Sequence, residues 1–297
     1  MMNRELQQTK GLKFIVSMCK YRANVVVCAL VLSFLAMVGC GADTTRASAT
    51  PLATTTPPAT TINITQGDQF APFILQVTPG TTVTWNNLDF FPHTMHSTPQ
   101  QSIFLNPALL NLTVASRGTT TFTFIKPGLY DYYDTKAATW SVQDLRVQAD
   151  AGVPSYPEAM EGVVWVNGPI PGLPKTALNS VPNNHDDFVT DFLAVQPGGT
   201  VQWHNYDTDD HFIAPMTGWN GNINPDPAFQ LATIHGSDAQ PPDGASVTLT
   251  FTIPGLYYYY CTAHADVDST WHRAMADTIA SEYPIPMEGF VLVAPSS

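Results

Sequence analysis

The chain has 297 residues, of which 44% are hydrophobic and only 12% charged, with a formal net charge of −12 at pH 7. That length holds two ordinary domains. Abundant Thr, Val, Pro, Gly and Tyr, without runs of Leu, Glu, Lys and Ala, exclude a helical bundle and favour β-structure. The acidic balance excludes a nucleic-acid partner, because such a surface repels phosphate.

The chain opens on a basic stretch, Arg4, Lys10, Lys13, Lys20 and Arg22, followed by the apolar run Ala23 to Gly39 and then Cys40. Basic start, apolar core and a small residue before cysteine resemble a bacterial lipoprotein signal, so residues 1–40 are read as a signal peptide with Cys40 lipidated. An uncleaved membrane anchor is the alternative, and it leaves the following residues on the same side. Either way the rest is expected outside the cytoplasm, tethered to the outer face of the bacterial cell membrane. Past Cys40 the chain carries 7 basic and 23 acidic residues. Residues 41–60 are small, polar and proline-punctuated, which predicts a flexible Thr/Ala/Pro-rich linker.

Beyond the linker the sequence repeats itself. PGTTVTWNNLDFFPH (Pro79 to His93) matches PGGTVQWHNYDTDDH (Pro197 to His211) at an offset of 118. TFTFIKPGLYDYYD (Thr121 to Asp134) matches TLTFTIPGLYYYYC (Thr248 to Cys261), and SYPEAMEGVVWV (Ser155 to Val166) matches EYPIPMEGFVLV (Glu282 to Val293), both at an offset of 127. Two domains of one fold are therefore expected, 61–167 and 168–297, separated in the Pro/Gly-rich stretch Val166 to Asn184. Period-two alternation at Val83/Trp85, Phe122/Phe124, Val201/Trp203 and Leu249/Phe251, with Pro-Gly turns at 79, 127, 197 and 254, predicts an all-β pair of sandwiches. Residues 265–281 have some helical character. The tyrosine run 257–260 reads as two inward and two outward strand residues.

Cysteine usage narrows the chemistry. Cys19 and Cys28 lie in the signal and Cys40 would carry lipid, so Cys261 is the one thiol of the folded part and no internal disulfide can form. It is a buried inert thiol, a reactive one or a metal ligand. The order of His211 after a strand, Cys261 ending a later strand, His264 at C-x2-H and Met287 opening the last strand supplies two imidazoles, a thiolate and a thioether. That is the donor set of a blue-copper site.

Through Asn205, Asp207 and His211, Gly255, Tyr257, Tyr259, Cys261 and His264, and the MEGFVLV element, the second repeat resembles the cupredoxins of plastocyanin and azurin type. The resemblance implies two tandem cupredoxin-like Greek-key sandwiches. It also implies one type 1 copper bound by His211, Cys261, His264 and axially Met287, with the exposed edge of His264 as the electron exit. Because 22 residues separate His264 from Met287, His272 and Met275 stand as alternative ligands, and Glu288 as an alternative axial group. The first repeat has Asp134 for Cys261 and Ala137 for His264, so it lacks the full copper site and reads as structural or partner-binding. Copper enzymes built from such domains place a histidine before the ligand cysteine and use His-x-His pairs. Here Tyr260 precedes Cys261 and no His-x-His occurs. The reading is thus a non-enzymatic, membrane-tethered electron carrier without a small-molecule substrate, its redox partners presenting basic surfaces. The alternative is a copper storage or delivery protein.

Overall fold

The structure, a computed structural model, describes residues 60–99, 108–217, 229–237 and 244–295. The expected signal peptide, Cys40 and all but the last residue of the linker lie outside them. The described residues form strands and turns without a helix.

The first repeat builds a sandwich of four strands against five. β1 (Thr61–Ile64), β2 (Phe70–Ala71), β4 (Thr81–Asn87) and β7 (Thr119–Phe124) order as β2-β1-β4-β7. Facing them are β3 (Ile74–Val77), β5 (His93–Ser97), β6 (Asn111–Val114), β8 (Gly128–Asp134) and β11 (Glu161–Val166), in the order β3-β11-β8-β5-β6. β9 (Ala138–Ser141) and β10 (Arg146–Ala149) form a separate hairpin between β8 and β11.

The second repeat reproduces this plan. β12 (Thr176–Val181), β14 (Gly199–Asn205) and β17 (Ala245–Phe251) make one sheet. β13 (Phe192–Val195), β15 (His211–Pro215), β16 (Ala232–Ile234), β18 (Gly255–Tyr260) and β21 (Glu288–Val293) make the other, ordered β13-β21-β18-β15-β16. Neighbours such as β13 and β21 are distant in sequence and parallel, which gives each sandwich its crossover connections. β12 falls inside the stretch read as an interdomain connection and pairs in parallel with β14.

One expectation fails. Residues 265–281 are not helical: β19 (Ala265–Asp268) and β20 (Arg273–Ala276) form an antiparallel hairpin. Asp268 decides this, because its Oδ1 accepts the backbone N–H of Thr270 at 2.6 Å and of Trp271 at 3.1 Å. A carboxylate capturing its own downstream N–H groups competes with helix formation and fixes a turn. His272, at φ 54°, closes that turn.

Each sandwich has its own apolar core, centred on Trp85, Phe124, Tyr130 and Tyr132 in the first and Trp203, Phe251, Tyr257 and Tyr259 in the second. In both, the tryptophan Nε1 donates to a tyrosine hydroxyl, Trp85 to Tyr132 at 3.1 Å and Trp203 to Tyr259 at 3.2 Å. The Met-Glu-Gly element makes room for that tyrosine: a Cβ on Gly162 would lie 2.6 Å from Tyr132 Oη, and one on Gly289 2.5 Å from Tyr259 Oη. Only glycine admits the ring there.

A further cluster draws on both repeats, with Phe73, Leu129 and Trp165 against Phe192, Tyr258 and Phe290. Tyr258 stacks on Phe290 at 4.5 Å between centroids, and Phe290 on Phe192 at 4.8 Å. The tyrosine run alternates as expected, Tyr257 and Tyr259 entering the sandwich core and Tyr258 and Tyr260 the other side. That other side is not solvent, however, since Tyr258 is buried against the first repeat. Burying such a ring stabilises by about 1.5–3 kcal/mol, which joins the described residues of the two repeats into one compact body.

Candidate metal centre

Three strand ends of the second repeat meet at one pole. His211 opens β15, and Cys261 follows β18 directly. The chain then turns tightly, with His264 N and Ala265 N both donating to the Cys261 carbonyl, at 3.2 and 2.9 Å. This turn folds His264 back over the cysteine. Cys261 Sγ lies 3.9 Å from His211 Nδ1 and 3.6 Å from His264 Nδ1. His211 and Cys261 are fully buried and His264 is 8% exposed.

This spacing fits an ion. Bonds of about 2.0–2.1 Å to nitrogen and about 2.3 Å to sulfur, meeting at tetrahedral to trigonal angles, separate the donors by about 3.5–3.8 Å. Both inward nitrogens are Nδ1, and both outward Nε2 atoms face carboxylates: His211 Nε2 lies 3.4 Å from Asp207 Oδ2 and His264 Nε2 3.3 Å from Asp186 Oδ1. A carboxylate on the remote nitrogen holds the proton there and leaves the other lone pair for a metal. Burial, reinforced by neighbouring His264, lowers the His211 pKa and keeps the ring neutral. Burial raises the Cys261 thiol pKa, partly opposed by the Phe212 N–H that donates to Sγ at 3.3 Å. Binding a cation would therefore have to displace the thiol proton.

The surrounding loop is tied down. Asn205 Nδ2 donates to the carbonyls of Asp209 at 2.7 Å and His235 at 3.1 Å, while its Oδ1 accepts Asp207 N at 2.9 Å. Asp207 Oδ1 accepts Asn184 N at 2.9 Å. Burial acts upward on Asp207, but the N–H groups of Asn184 and Thr208, with His211, hold its pKa below the usual carboxylate range.

Of the other candidates, Met287 is fully buried in the same apolar cluster as Cys261, and its carbonyl accepts Cys261 N at 2.9 Å. His272 sits exposed in the β19–β20 turn and Met275 half-buried on β20. Neither His272 nor Glu288 belongs to the His211, Cys261 and His264 group. Glu288 is directed instead to Tyr258 and to Arg146. The expected exposed edge of His264 is a correction: Asp186 covers its Nε2. Sequence reasoning missed Asp186, although it stands 118 residues after Asp68, the offset of the His93 to His211 match.

In the first repeat His93 occupies the His211 position. Its Nδ1 lies 2.7 Å from Asp134 Oδ2 and its Nε2 3.4 Å from Asp89 Oδ2.

No family model matches the sequence, and no curated protein matches it. Among solved structures, the Cu(I) form of an amicyanin mutant is similar at 25% identity, covering 39% of this chain and 88% of that one, with a TM-score of 0.26. A purple cupredoxin from Nitrosopumilus maritimus is similar at 22% identity, covering 37% of this chain and all of that one, with a TM-score of 0.25.

Proposed function

We propose that the chain is an extracytoplasmic, membrane-tethered cupredoxin-type electron carrier with one type 1 copper in the second repeat. One observation carries the reading: the Cys261 sulfur and the Nδ1 atoms of His211 and His264 converge, buried, at 3.6 and 3.9 Å. Cys261, His211, His264 and Met287 would hold the copper, and the bound ion would supply a one-electron couple. The chain itself supplies rigidity. Asn205 and Asp207 fix the His211 loop, the 261–265 turn fixes His264, and the Phe212 N–H donates to the sulfur. Donors that cannot move favour an ion that changes charge without changing shape. Redox partners with basic surfaces would meet the acidic chain faster through complementary charge.

The position of Asp186 over His264 favours a second reading, storage or delivery of copper, because it covers the ring edge through which a carrier would pass electrons. Electron self-exchange separates the two: rapid exchange supports the carrier, whereas slow exchange with Cu(I) readily surrendered to a chelator supports delivery. The test of the centre itself is copper reconstitution. A strong thiolate-to-copper absorption band should appear and be lost in Cys261→Ser, while the circular dichroism of the sandwich persists.

A further inference from the structure

Two arginines are buried between the repeats, and they are exchanged reciprocally. Arg146 on β10 and Arg273 on β20 occupy equivalent hairpins at the offset of 127. Arg273 reaches into the first repeat, where Nη1 donates to the Ala159 carbonyl at 2.7 Å, Nη2 lies 3.6 Å from Glu161 Oε2, and the guanidinium sits 4.3 Å above the Phe73 ring. Arg146 reaches the other way. Its Nη2 donates to the Pro286 carbonyl at 3.3 Å, its Nη1 to the Glu288 carbonyl at 3.3 Å and to Asp187 Oδ1 at 2.8 Å, and its Nε lies 3.4 Å from Asp191 Oδ2.

Among the targets of Arg146 are the backbone on either side of Met287 and the residue next to Asp186. Met287 in turn accepts Cys261 N through its carbonyl, and Asp186 faces His264 Nε2. One guanidinium from the first repeat thus ties together two segments that flank the centre in the second. Its planar fork suits the task, because fixed donors aimed at two carbonyls and a carboxylate set direction as well as distance. Arg273 grips the carbonyl before Met160 in the same manner, but that methionine stands beside Asp134, where there is no thiol.

We infer that Arg146 is a positioning residue for the His211, Cys261 and His264 centre, so that the first repeat acts as an outer support for the metal site in the second. The inference rests on the proposed copper centre for its metal readouts, and on the apo geometry alone for its thiol readout.

The experiment uses the full chain carrying Cys19→Ser, Cys28→Ser and Cys40→Ser, which leaves Cys261 as the only thiol, with Arg146→Met and the matched Arg273→Met built on it. Three quantities are read: Cu(I) affinity against a chromogenic chelator, the visible spectrum with Cu(II), and the rate at which metal-free Cys261 reacts with an aromatic disulfide reagent. Arg146→Met should weaken Cu(I) binding by about 10-fold or more, the scale of losing an outer partner of metal ligands. It should also shift the visible band and speed the thiol reaction. Arg273→Met should destabilise the chain yet leave all three readouts within about two-fold of the parent, since the groups its guanidinium touches, the Ala159 carbonyl, Glu161 and the Phe73 ring, belong to the repeat without a thiol. Readouts for Arg146→Met within two-fold of the parent, or equal changes in both variants, overturn the inference. A parent chain that binds no copper defeats the proposed function, and the thiol rates still decide on Arg146. Should Arg146→Met fail to fold, Asp187→Asn removes its shortest ion pair and leaves the carbonyl bonds, with smaller changes in the same direction expected and no change contradicting the claim.

Discussion

His93 beside Asp134 and His211 beside Cys261 occupy the same corner of two sandwiches built on one plan. In both, an asparagine staples the preceding loop: Asn87 Nδ2 donates to the Phe91 carbonyl at 2.7 Å and Asn205 Nδ2 to that of Asp209 at 2.7 Å. In both, the residue at the end of β8 or directly after β18 is anchored to the methionine carbonyl, Asp134 N to Met160 O and Cys261 N to Met287 O, each at 2.9 Å. The scaffold therefore does not depend on what stands at the corner. Asp134 closes the first corner by hydrogen-bonding His93, whereas Cys261 leaves two imidazole nitrogens and a sulfur converging on one another. The difference teaches that two substitutions, at the cysteine and at the second histidine, separate a corner in which a carboxylate hydrogen-bonds the histidine from one in which a sulfur and two imidazole nitrogens converge.

The comparison can be broken or sharpened by exchange. The largest effect is expected from Cys261→Asp, which should abolish the copper-thiolate band and reduce tight copper to zero equivalents. The fold should be retained, because the first repeat already carries Asp at this position. Metal analysis and circular dichroism check it. The converse, Asp134→Cys with Ala137→His, should raise copper from one equivalent toward two. An unchanged stoichiometry would mean that the corners differ in more than those two side chains.

Next come the buried tyrosines. Tyr259 Oη accepts from both Trp203 Nε1 at 3.2 Å and Asn179 Nδ2 at 3.1 Å, whereas Tyr132 Oη accepts from Trp85 Nε1 at 3.1 Å. Tyr259→Phe should cost about 1–3 kcal/mol in denaturant unfolding, and more than Tyr132→Phe, since it strips an acceptor from more buried donors. Equal losses would remove this distinction between the cores.

The smallest effect expected is that of pH on the apo chain. The surface between the repeats buries Glu158, Asp187, Asp191 and Glu288, with Glu161 half-buried beside them, around Arg146 and Arg273. Burial, opposed by Arg273, pushes Glu158 up to about 7, and burial, opposed by Arg146, pushes Asp187 up to about 7. Carboxyls raised in the folded state bind more protons there than in the unfolded chain, so their stabilisation is complete below about pH 4 and lost as pH rises through about 7. Neutral, buried His211 acts the opposite way below about pH 6.5, as one group against several. The urea midpoint should therefore be lower at pH 8 than at pH 5, and a higher midpoint at pH 8 would contradict the assignment.

Much of this was legible in the residues. The period-two pattern and Pro-Gly turns gave the strands, and the 118 and 127 offsets gave the repeated plan, because those signals are local or are carried in order along the chain. The meeting of His211, Cys261 and His264 at one point was legible for the same reason. Arg146 and Asp186 were not, because each acts on a partner fixed only by how the sandwiches and loops pack. The hairpin at 265–276 was missed because Ala and Met are good helix formers, and the preference is overridden only where Asp268 captures its own turn. The burial of Tyr258 against the first repeat was not legible either, because alternation along the tyrosine run says that neighbours take opposite sides but not what covers each side.

The most direct test is the visible absorption and electron-spin-resonance spectrum of the copper-loaded chain, recorded together with the count of free thiols. Ligation by Cys261 predicts an intense thiolate-to-copper band, one copper per chain and disappearance of the Cys261 thiol from the count. A colourless copper signal, with Cys261 still titrating as a free thiol, would contradict it.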